Sequence, residues 1–533
     1  MKQLLKTIIF LLIINQLAAQ QFYVSTTGRN SNIGTAKKPV ATLQKAQALV
    51  RDFKKANPGY TGEIVVTVMP GTYELTSSLS FNEGDAGNEN LQVIWKAASK
   101  NKVILSGGKN INGRLFKKVT NPTILARLEK NAAENIVEVS LTKLGITNFG
   151  THQSYGHGQP VIPAPLELYY NQDPLVLAHY PNNGAVKIGK VIDKGSVPRI
   201  GDKSNRGGLF NYTDNRQSKW VGQKDIWIQG TFNYGFADDY INIANIDTAK
   251  KEIKLASPHI YGIAHGRDFQ EYIAYNILEE LDSPGEWWLD KKTGMLYVWP
   301  PANSAGKTDI ATANITVSIL ETPIVSIINA EHLTIEGFTI EAGRDMGIYL
   351  EGGSNNNIAG CTVRNLGTSG IFMGQGAEAK QKDMSIDDFD GTPTSGIIGS
   401  LQNYLYKNTS WNRNAGFNQT IISCDVYNTG SGGIYLSGGD KRTLTKANNI
   451  VENCKVHDFN RRNKFIWSGI SVDGCGNKIR HCEIYNSDWQ GIFVHGNEHV
   501  FEYNNIHHVT LNSDDTSPWY IGRDPSDRGN VVR

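Results

Sequence analysis

The residues best suited to acid–base chemistry lie near the carboxyl end of the sequence. Asp473 is followed by the adjacent acids Asp514 and Asp515. Two carboxyl groups beside a sugar ring can break a glycosidic bond, because one protonates the leaving oxygen while the other attacks or activates water. A separation of about 5–5.5 Å gives retention of configuration, and about 6.5–9.5 Å gives inversion. We predict Asp473 with Asp514 or Asp515 as catalytic residues; the sequence leaves their separation open.

Aromatic, basic and further acidic side chains surround these acids and are predicted to bind a substrate. The predicted substrate-binding residues are His495, His499, Trp467, Trp489, Trp519, Arg523 and Asp524. His457, His507 and His508 add to the same group. A single Asp in such a place is explained by turn formation, since its side chain bonds to nearby backbone amides. The concentration of these residues in consecutive segments favours an active site.

A short repeat must position these residues. The sequence Gly-Ile-X occurs at residues 347–349, 370–372, 433–435, 469–471 and 491–493, and uninterrupted copies are 22 or 23 residues apart. A period in the low twenties indicates a solenoid in which each turn is one supersecondary unit. The strands are rich in Ile, Val, Tyr and Phe and the turns in Gly and Asn, which disfavours a leucine-rich repeat. We predict an all-β right-handed parallel β-helix.

In a parallel β-helix, equivalent residues of successive coils lie about 4.8 Å apart. Asp473 and His495 each stand four residues after a repeat glycine, so they are predicted to be neighbours, and Gly522 follows if Pro518 replaces the glycine. A second column is predicted to point inward and to contain Cys361, Cys424, Cys454 and Cys482, followed by Asn504. Buried thiols pack as small hydrophobic groups, so we expect this column to be structural and reduced.

The amino-terminal part is predicted to be a signal peptide followed by the first coils of the solenoid and a helix that caps them. Residues 1–19 combine lysines with an apolar run too short to span a bilayer, which predicts a signal peptide. Residues 20–110 are predicted to form the first coils. An amphipathic helix beginning near Thr42 is predicted to cap them and to cover the open edge.

Two interruptions divide the remaining chain. Residues 111–310 lack the repeat and contain longer alternating strands, which predicts an inserted β-sandwich-like domain. Residues 311–533 are predicted to form the main β-helix, with a long loop from about 377 to 419. The sequence ends inside a coil at Arg533, so we predict a chain truncated at its carboxyl end.

Composition limits the classes of partner. Lys and Arg total 53 and Asp and Glu total 51, so the net charge of +2 gives no field that would attract nucleic acid or an acidic membrane. We predict a monomeric protein with a carbohydrate substrate, no nucleic-acid or membrane partner, no cofactor, and a secreted or periplasmic location.

Longer segments support a family resemblance. They include GTYELTSSLSF, LYYNQDPLVLAHYPN, ELDSPGEWWLDKKTGMLYVWPP, NKIRHCEIYN and GRDPSDRGNVVR. Together they resemble the secreted β-helix proteins of glycoside hydrolase family 141 over most of the mature chain. The resemblance implies a β-helix with an inserted β-sandwich and fucosidase- or xylanase-like activity on plant cell-wall or pectin-type polysaccharide. It also implies catalytic aspartates at Asp473 and at Asp514 or Asp515. Thr516–Trp519 and Pro525-Ser526 depart from the expected family pattern, so specificity is expected to differ.

Two other functions fit the same fold. A polysaccharide lyase acting on a uronate polymer would need a cation, with Ca²⁺ one choice for the acidic cluster, and a base that removes a proton. Lys478, Arg480, His495 and Arg523 are its candidate residues. A non-catalytic glycan-binding protein would instead stack sugars on aromatic side chains, including Tyr404, Tyr406 and Trp411.

Overall fold

The computed structural model describes residues 19–157, 159, 161–302, 309–376, 412–465, 467–522 and 524–533. The predicted signal peptide lies outside this part of the chain except for Ala19. Most of the predicted loop from 377 to 419, including Tyr404, Tyr406 and Trp411, and the predicted substrate-binding Arg523 also lie outside it. Within the described residues, no helix has the length and apolar character needed to cross a membrane.

The amino-terminal segment supplies one helix and six strands. They are β1 (Gln20–Val24), α1 (Leu43–Ala56), β2 (Gly62–Val68), β3 (Gly71–Glu74), β4 (Leu79–Phe81), β5 (Leu91–Ala97) and β6 (Val103–Ser106). Helix α1 begins as predicted, because the Thr42 side chain accepts a hydrogen bond from the Lys45 amide. It buries Leu43, Ala46 and Val50 against the first coil. The expected capping helix is confirmed.

The middle segment contains short, mainly antiparallel strands. They are β7 (Gly108–Asn112), β8 (Lys117–Lys118), β9 (Val137–Ser140), β10 (Tyr155–Gly156), β11 (Leu168–Tyr170), β12 (Asp173–Pro174), β13 (Val176–Leu177), β14 (His179–Tyr180), β15 (Val186–Lys187), β16 (Val191–Asp193), β17 (Leu209–Asn211), β18 (Trp227–Thr231), β19 (Asp238–Asp247), β20 (Glu252–Leu255), β21 (Glu271–Tyr275), β22 (Glu286–Asp290), β23 (Met295–Val298) and β24 (Asn314–Ser318). Short helices α2 (Pro122–Leu125) and α3 (Lys130–Asn135) lie between β8 and β9. We call residues 107–318 the insert.

The remaining strands complete the coils. They are β25 (Val325–Ile328), β26 (Leu333–Glu336), β27 (Thr339–Glu341), β28 (Ile348–Glu351), β29 (Asn357–Ala359), β30 (Thr362–Leu366), β31 (Ile371–Met373), β32 (Thr420–Ile422), β33 (Asp425–Thr429), β34 (Ile434–Leu436), β35 (Ile450–Glu452), β36 (Lys455–His457), β37 (Ile470–Val472), β38 (Lys478–Arg480), β39 (Glu483–Tyr485), β40 (Ile492–Val494), β41 (Val500–Glu502), β42 (Asn505–His507), β43 (Trp519–Ile521) and β44 (Val531–Val532).

Each coil contributes strands to long parallel sheets. Sheet 1 has the order β1-β2-β5-β26-β29-β32-β35-β38-β41-β44, sheet 2 has β3-β6-β27-β30-β33-β36-β39-β42, and sheet 3 has β4-β25-β28-β31-β34-β37-β40-β43. The first coils join the later ones directly, because β5 pairs with β26 and β4 with β25. The predicted parallel β-helix is confirmed. The insert lies between β6 and β25 in the chain, and the coils before and after it are direct neighbours in the β-helix.

The inward cysteine column is also confirmed. Cys361, Cys424, Cys454 and Cys482 are free thiols with at most 2% of each residue exposed. In the next coil, the Asn504 side chain accepts from the Cys482 amide and donates to the Ile479 carbonyl. The amide therefore replaces a thiol while satisfying its own hydrogen bonds.

The repeat glycines are required by close packing between sheets. A Cβ atom at Gly433 would lie 2.2 Å from Val456 Cγ1, and one at Gly469 would lie 2.5 Å from Ile484 Cγ2. We expect Gly433→Ala to lower the free energy of unfolding by about 1–3 kcal/mol, because overpacking displaces a rigid β-branched side chain. Urea unfolding followed by tryptophan fluorescence measures the change.

Gly59→Ala is the matched control for this substitution. A Cβ atom at Gly59 would meet no heavy atom within 4 Å. Equal unfolding midpoints for the two variants would contradict the packing explanation of the repeat.

The insert packs on the β-helix close to the amino ends of sheet 3. Glu167 of the insert forms an ion pair with Arg461, with Oε1 2.9 Å from Nη1. Gln229 donates to the Arg462 carbonyl, and the Lys464 amide donates to Asp238. Arg461, Arg462 and Lys464 belong to the loop that precedes β37, so the insert borders the face of sheet 3.

Candidate active site

The strand register of sheet 3 brings one column of turn residues together. Ile470 pairs with Ile492, and Ile492 pairs with Trp519. Counting three residues further places Asp473, His495 and Gly522 at successive carboxyl ends of β37, β40 and β43. Neighbouring parallel strands are about 4.8 Å apart, so the predicted adjacency of Asp473 and His495 is confirmed.

Asp473 is almost completely enclosed. The residue is 3% exposed, and its Oδ2 accepts a hydrogen bond of 3.1 Å from the Tyr435 hydroxyl. Its Oδ1 has no hydrogen-bond partner among the described residues. Burial raises the pKa of Asp473 above its ordinary value, while Arg413, Ser437, Tyr435 and His495 lower it and leave a net increase. A buried carboxyl group with a raised pKa and a free oxygen can carry a proton for transfer.

Among the described residues, Arg413 is the cation nearest this carboxyl group, and it was missed in the sequence. Its Nε lies 3.6 Å from Asp473 Oδ2, and Arg413 is 2% exposed. Its guanidinium carbon lies 4.9 Å from the centre of the Tyr435 ring and 5.5 Å from that of Phe372. Arg413 stands near the end of an interruption of the repeat, so no period or motif indicated its position.

A buried ionic group adjoins His495. Its Nδ1 lies 3.5 Å from Asp527 Oδ2, while Asp527 Oδ1 accepts from Lys441 Nζ and from the Gly496 amide. Lys441 Nζ also donates to Asp524 Oδ2 at 2.6 Å, and its side chain is 0% exposed. Asp527 and Lys441 therefore hold the turn that carries His495.

Asp524 is held by contacts within the protein. Burial alone would raise the pKa of Asp524, but hydrogen bonds from Lys441 and Ser526 lower it well below its ordinary value. Its Oδ1 accepts from both the Ser526 amide and the Ser526 hydroxyl. Asp524 anchors the buried lysine, and its contact with substrate stays a prediction.

Asp514 and Asp515 border the other end of sheet 3. They precede β43 and are exposed, and the Asp514 amide donates to the Gly235 carbonyl of the insert. A strand advances about 3.3 Å per residue, so about 10 Å of sheet separates this end from the carboxyl end. Among the described contacts, none joins Asp473 to Asp514 or Asp515. Their catalytic pairing stays a prediction.

The side chains of His499 and Trp519 point into the coil. His499 is 0% exposed, accepts from the Asn477 amide and is bonded to the His495 carbonyl through Nε2. Burial lowers the pKa of His499 to about 4. Trp519 is aligned with the inward-pointing residues Ile470 and Ile492 of the preceding strands, and its ring packs against Phe501. The predicted substrate contact of His499 is corrected, because its side chain fills the coil interior. Trp519 is only partly buried, and its substrate contact stays a prediction.

Trp467 and Trp489 are largely covered. They are 7% and 6% exposed, and Trp489 packs on Phe465 at a ring-centre distance of 5.6 Å. Trp467 packs beside Tyr435, whose ring belongs to the outer face of sheet 3. Substrate contact by either tryptophan stays a prediction.

The other histidines of the predicted cluster lie elsewhere. His457 and His507 belong to sheet 2, where their rings alternate in one stack with those of Tyr427 and Tyr485 at spacings of 4.8–5.0 Å. Burial lowers the pKa of His457, but Asp425 and Asp458 outweigh it and raise the pKa to about 9. This stack is separate from the Asp473 column.

The outer face of sheet 3 connects its two acidic ends. Phe372 stacks on Tyr435 at 4.9 Å, and Phe493 stacks on Tyr520 at 5.8 Å between ring centres.

Within the described residues, no group of three or more His, Cys, Asp or Glu side chains is arranged to hold a metal ion. Calcium binding under the lyase alternative stays a prediction.

Comparisons with known proteins agree with this architecture. The family described as "Right handed beta helix region" matches residues 323–466. A solved structure titled "Glycoside hydrolase" is similar with a TM-score of 0.59 and 14% identity, covering 96% of both chains. The chain has the fold of a right-handed β-helix protein. This β-helix protein matches no curated sequence.

Two further structures show weaker likeness. "The complex structure of XylC with xylose" has a TM-score of 0.42 and 13% identity, covering 91% of this chain and 62% of the other. "Crystal structure of pectate lyase Pel9A" has a TM-score of 0.34 and 10% identity, covering 96% and 80%. The resemblance to glycoside hydrolase family 141 stays a prediction.

Proposed function

We propose that the β-helix protein is a secreted glycoside hydrolase acting on plant cell-wall or pectin-type polysaccharide, with fucosidase- or xylanase-like activity. The observation that carries the proposal is the enclosed Asp473, whose raised pKa and free Oδ1 suit a general acid. It lies beside the aromatic outer face of sheet 3, where a sugar ring can stack.

In this mechanism, Asp473 gives its proton to the glycosidic oxygen as the bond to the sugar carbon breaks. A second carboxylate about 6.5–9.5 Å away accepts a proton from water as that water attacks the sugar carbon. We predict Asp514 or Asp515 for this role, which requires it to approach Asp473 from the other end of sheet 3. His495 contacts the substrate from the next coil, and Asp527 orients the His495 ring. The Tyr435 hydrogen bond fixes the direction of the Asp473 carboxyl group.

The anomer released reports the position of the second carboxyl group, because a base about 6.5–9.5 Å from Asp473 gives inversion and a nucleophile about 5–5.5 Å away gives retention. A panel of plant cell-wall oligosaccharides is incubated with the protein, and products are separated by chromatography. Proton magnetic resonance of the first turnovers then identifies the anomer released.

The same products test the alternatives. An unsaturated product that absorbs ultraviolet light, and whose formation stops under chelation, would show elimination and overturn the hydrolase proposal. Binding of glycans with no product from any member of the panel would support the non-catalytic alternative.

A further inference from the structure

The side chain of Arg413 carries donors that the described residues do not use. Its Nε and Nη2 atoms are buried and have no hydrogen-bond acceptor among the described residues. The residue itself is fixed, because the Gln375 amide donates to its carbonyl at 2.6 Å. A Cβ atom at Gly374 would lie 2.9 Å from Arg413 Cβ, so the neighbouring coil also packs against it.

A buried guanidinium normally has partners, because an unpaired charge loses its hydration without compensation. Asp473 lies 3.6 Å from Nε, beyond the usual range of a hydrogen bond. Tyr435 and Phe372 supply only the faces of their rings. The described residues therefore leave part of the Arg413 fork open beside the proposed general acid.

During catalysis the positive charge of Arg413 is even less well compensated. When Asp473 carries the proton that it transfers, its carboxyl group is neutral and no longer balances Arg413. Sugar hydroxyls would accept hydrogen bonds from Nε and Nη2 but would bring no charge. A carboxylate matches the planar fork with two oxygens and balances its charge.

We infer that the site binds a sugar bearing a carboxylate, a uronic acid, and that Arg413 is the residue that recognises it. This inference rests on the proposed function, since it names the substrate class of the same site. Arg413 lies on the outer face of sheet 3 beside Asp473, so the acidic sugar would occupy the reacting position or the one next to it.

The test compares ligands that differ only in this charge. Asp473→Asn protein is titrated by calorimetry with tetragalacturonate and with its methyl ester, and with a xylotetraose that carries one glucuronic acid and with the methyl ester of that ligand. We expect tighter binding of the acid in at least one pair by about 10–100-fold, the worth of a hydrogen bond to a charged group. Adding Arg413→Gln should remove this difference, and Arg413→Lys should restore part of it.

Arg364→Gln is the matched control, because Arg364 lies on sheet 2, pairs with Glu341 and packs over the Tyr427 ring. It should leave the preference for the acid unchanged. Equal behaviour of acid and neutral ligands in both pairs, or an Arg413→Gln effect of the same size on both, would overturn the inference. If the protein shows no preference for the acid but hydrolyses a neutral glycan, the proposed function stands and only this inference is overturned. If the unsubstituted protein binds the acid selectively but hydrolyses nothing, the proposed function is overturned and this inference stands.

Discussion

Asp473→Asn is expected to lower kcat by about 10²–10⁴-fold, the usual contribution of a general acid. Asparagine keeps the shape of the side chain and can still accept the Tyr435 hydrogen bond, but it has no proton to give. In the unsubstituted protein, activity should fall as pH rises through the raised pKa of Asp473, since the acid is then ionised. Initial rates across a pH series, with circular dichroism of the variant, measure both effects.

Asp345→Asn provides a closely matched control. Asp345 is also buried, and burial raises its pKa to about 7, but it precedes β28 and accepts from the Thr368 hydroxyl. It should retain nearly full activity. Unchanged turnover in Asp473→Asn would remove the basis of the proposed mechanism.

Lys441→Met should destabilise the last coils strongly. Lys441 is 0% exposed and lies between Asp524 and Asp527, so methionine would leave two partly buried carboxylates facing each other. Removing one partner of a buried pair costs about 3–5 kcal/mol. Urea unfolding measures the loss, and hydrogen exchange should locate it in the coils that contain β40 and β43.

Lys446→Met is the control for this prediction. Lys446 pairs with Glu498 at 2.7 Å, but its side chain is 53% exposed. A surface pair of this kind contributes below about 1 kcal/mol. If the two variants unfolded at the same urea concentration, the buried group would not be the anchor of the His495 turn.

The repeat could be read from the sequence because each coil is a local unit with its own apolar strands and turns. Gly433 and its equivalents lie where sheet 3 approaches the inward side chains of sheet 2. The coils from Gly347 to Gly491 each have one such glycine, so aligning the glycines shows which residues of successive coils are neighbours. That alignment correctly placed Asp473 beside His495 and aligned the cysteines. These relations depend only on counting along a regular coil.

Other residues of the site could not be found by counting. Arg413 follows an irregular stretch, and Lys441 lies in a turn between β34 and β35, far in sequence from the acids that bind it. His499 and Trp519 were assigned to the site because of their residue types. Their backbone register turns both side chains into the coil.

The sequence by itself determined the parallel coils, the inward thiol column, the capping helix and the neighbourhood of Asp473 and His495, since strand alternation and repeat length are local properties. Only the tertiary structure decided that Arg413 lies over the rings beside Asp473, that Lys441 joins Asp524 to Asp527, and that Asp514 meets the insert at the far end of sheet 3. The physical reason is that burial and charge pairing depend on segments brought together by the closed coils and by the packing of the insert.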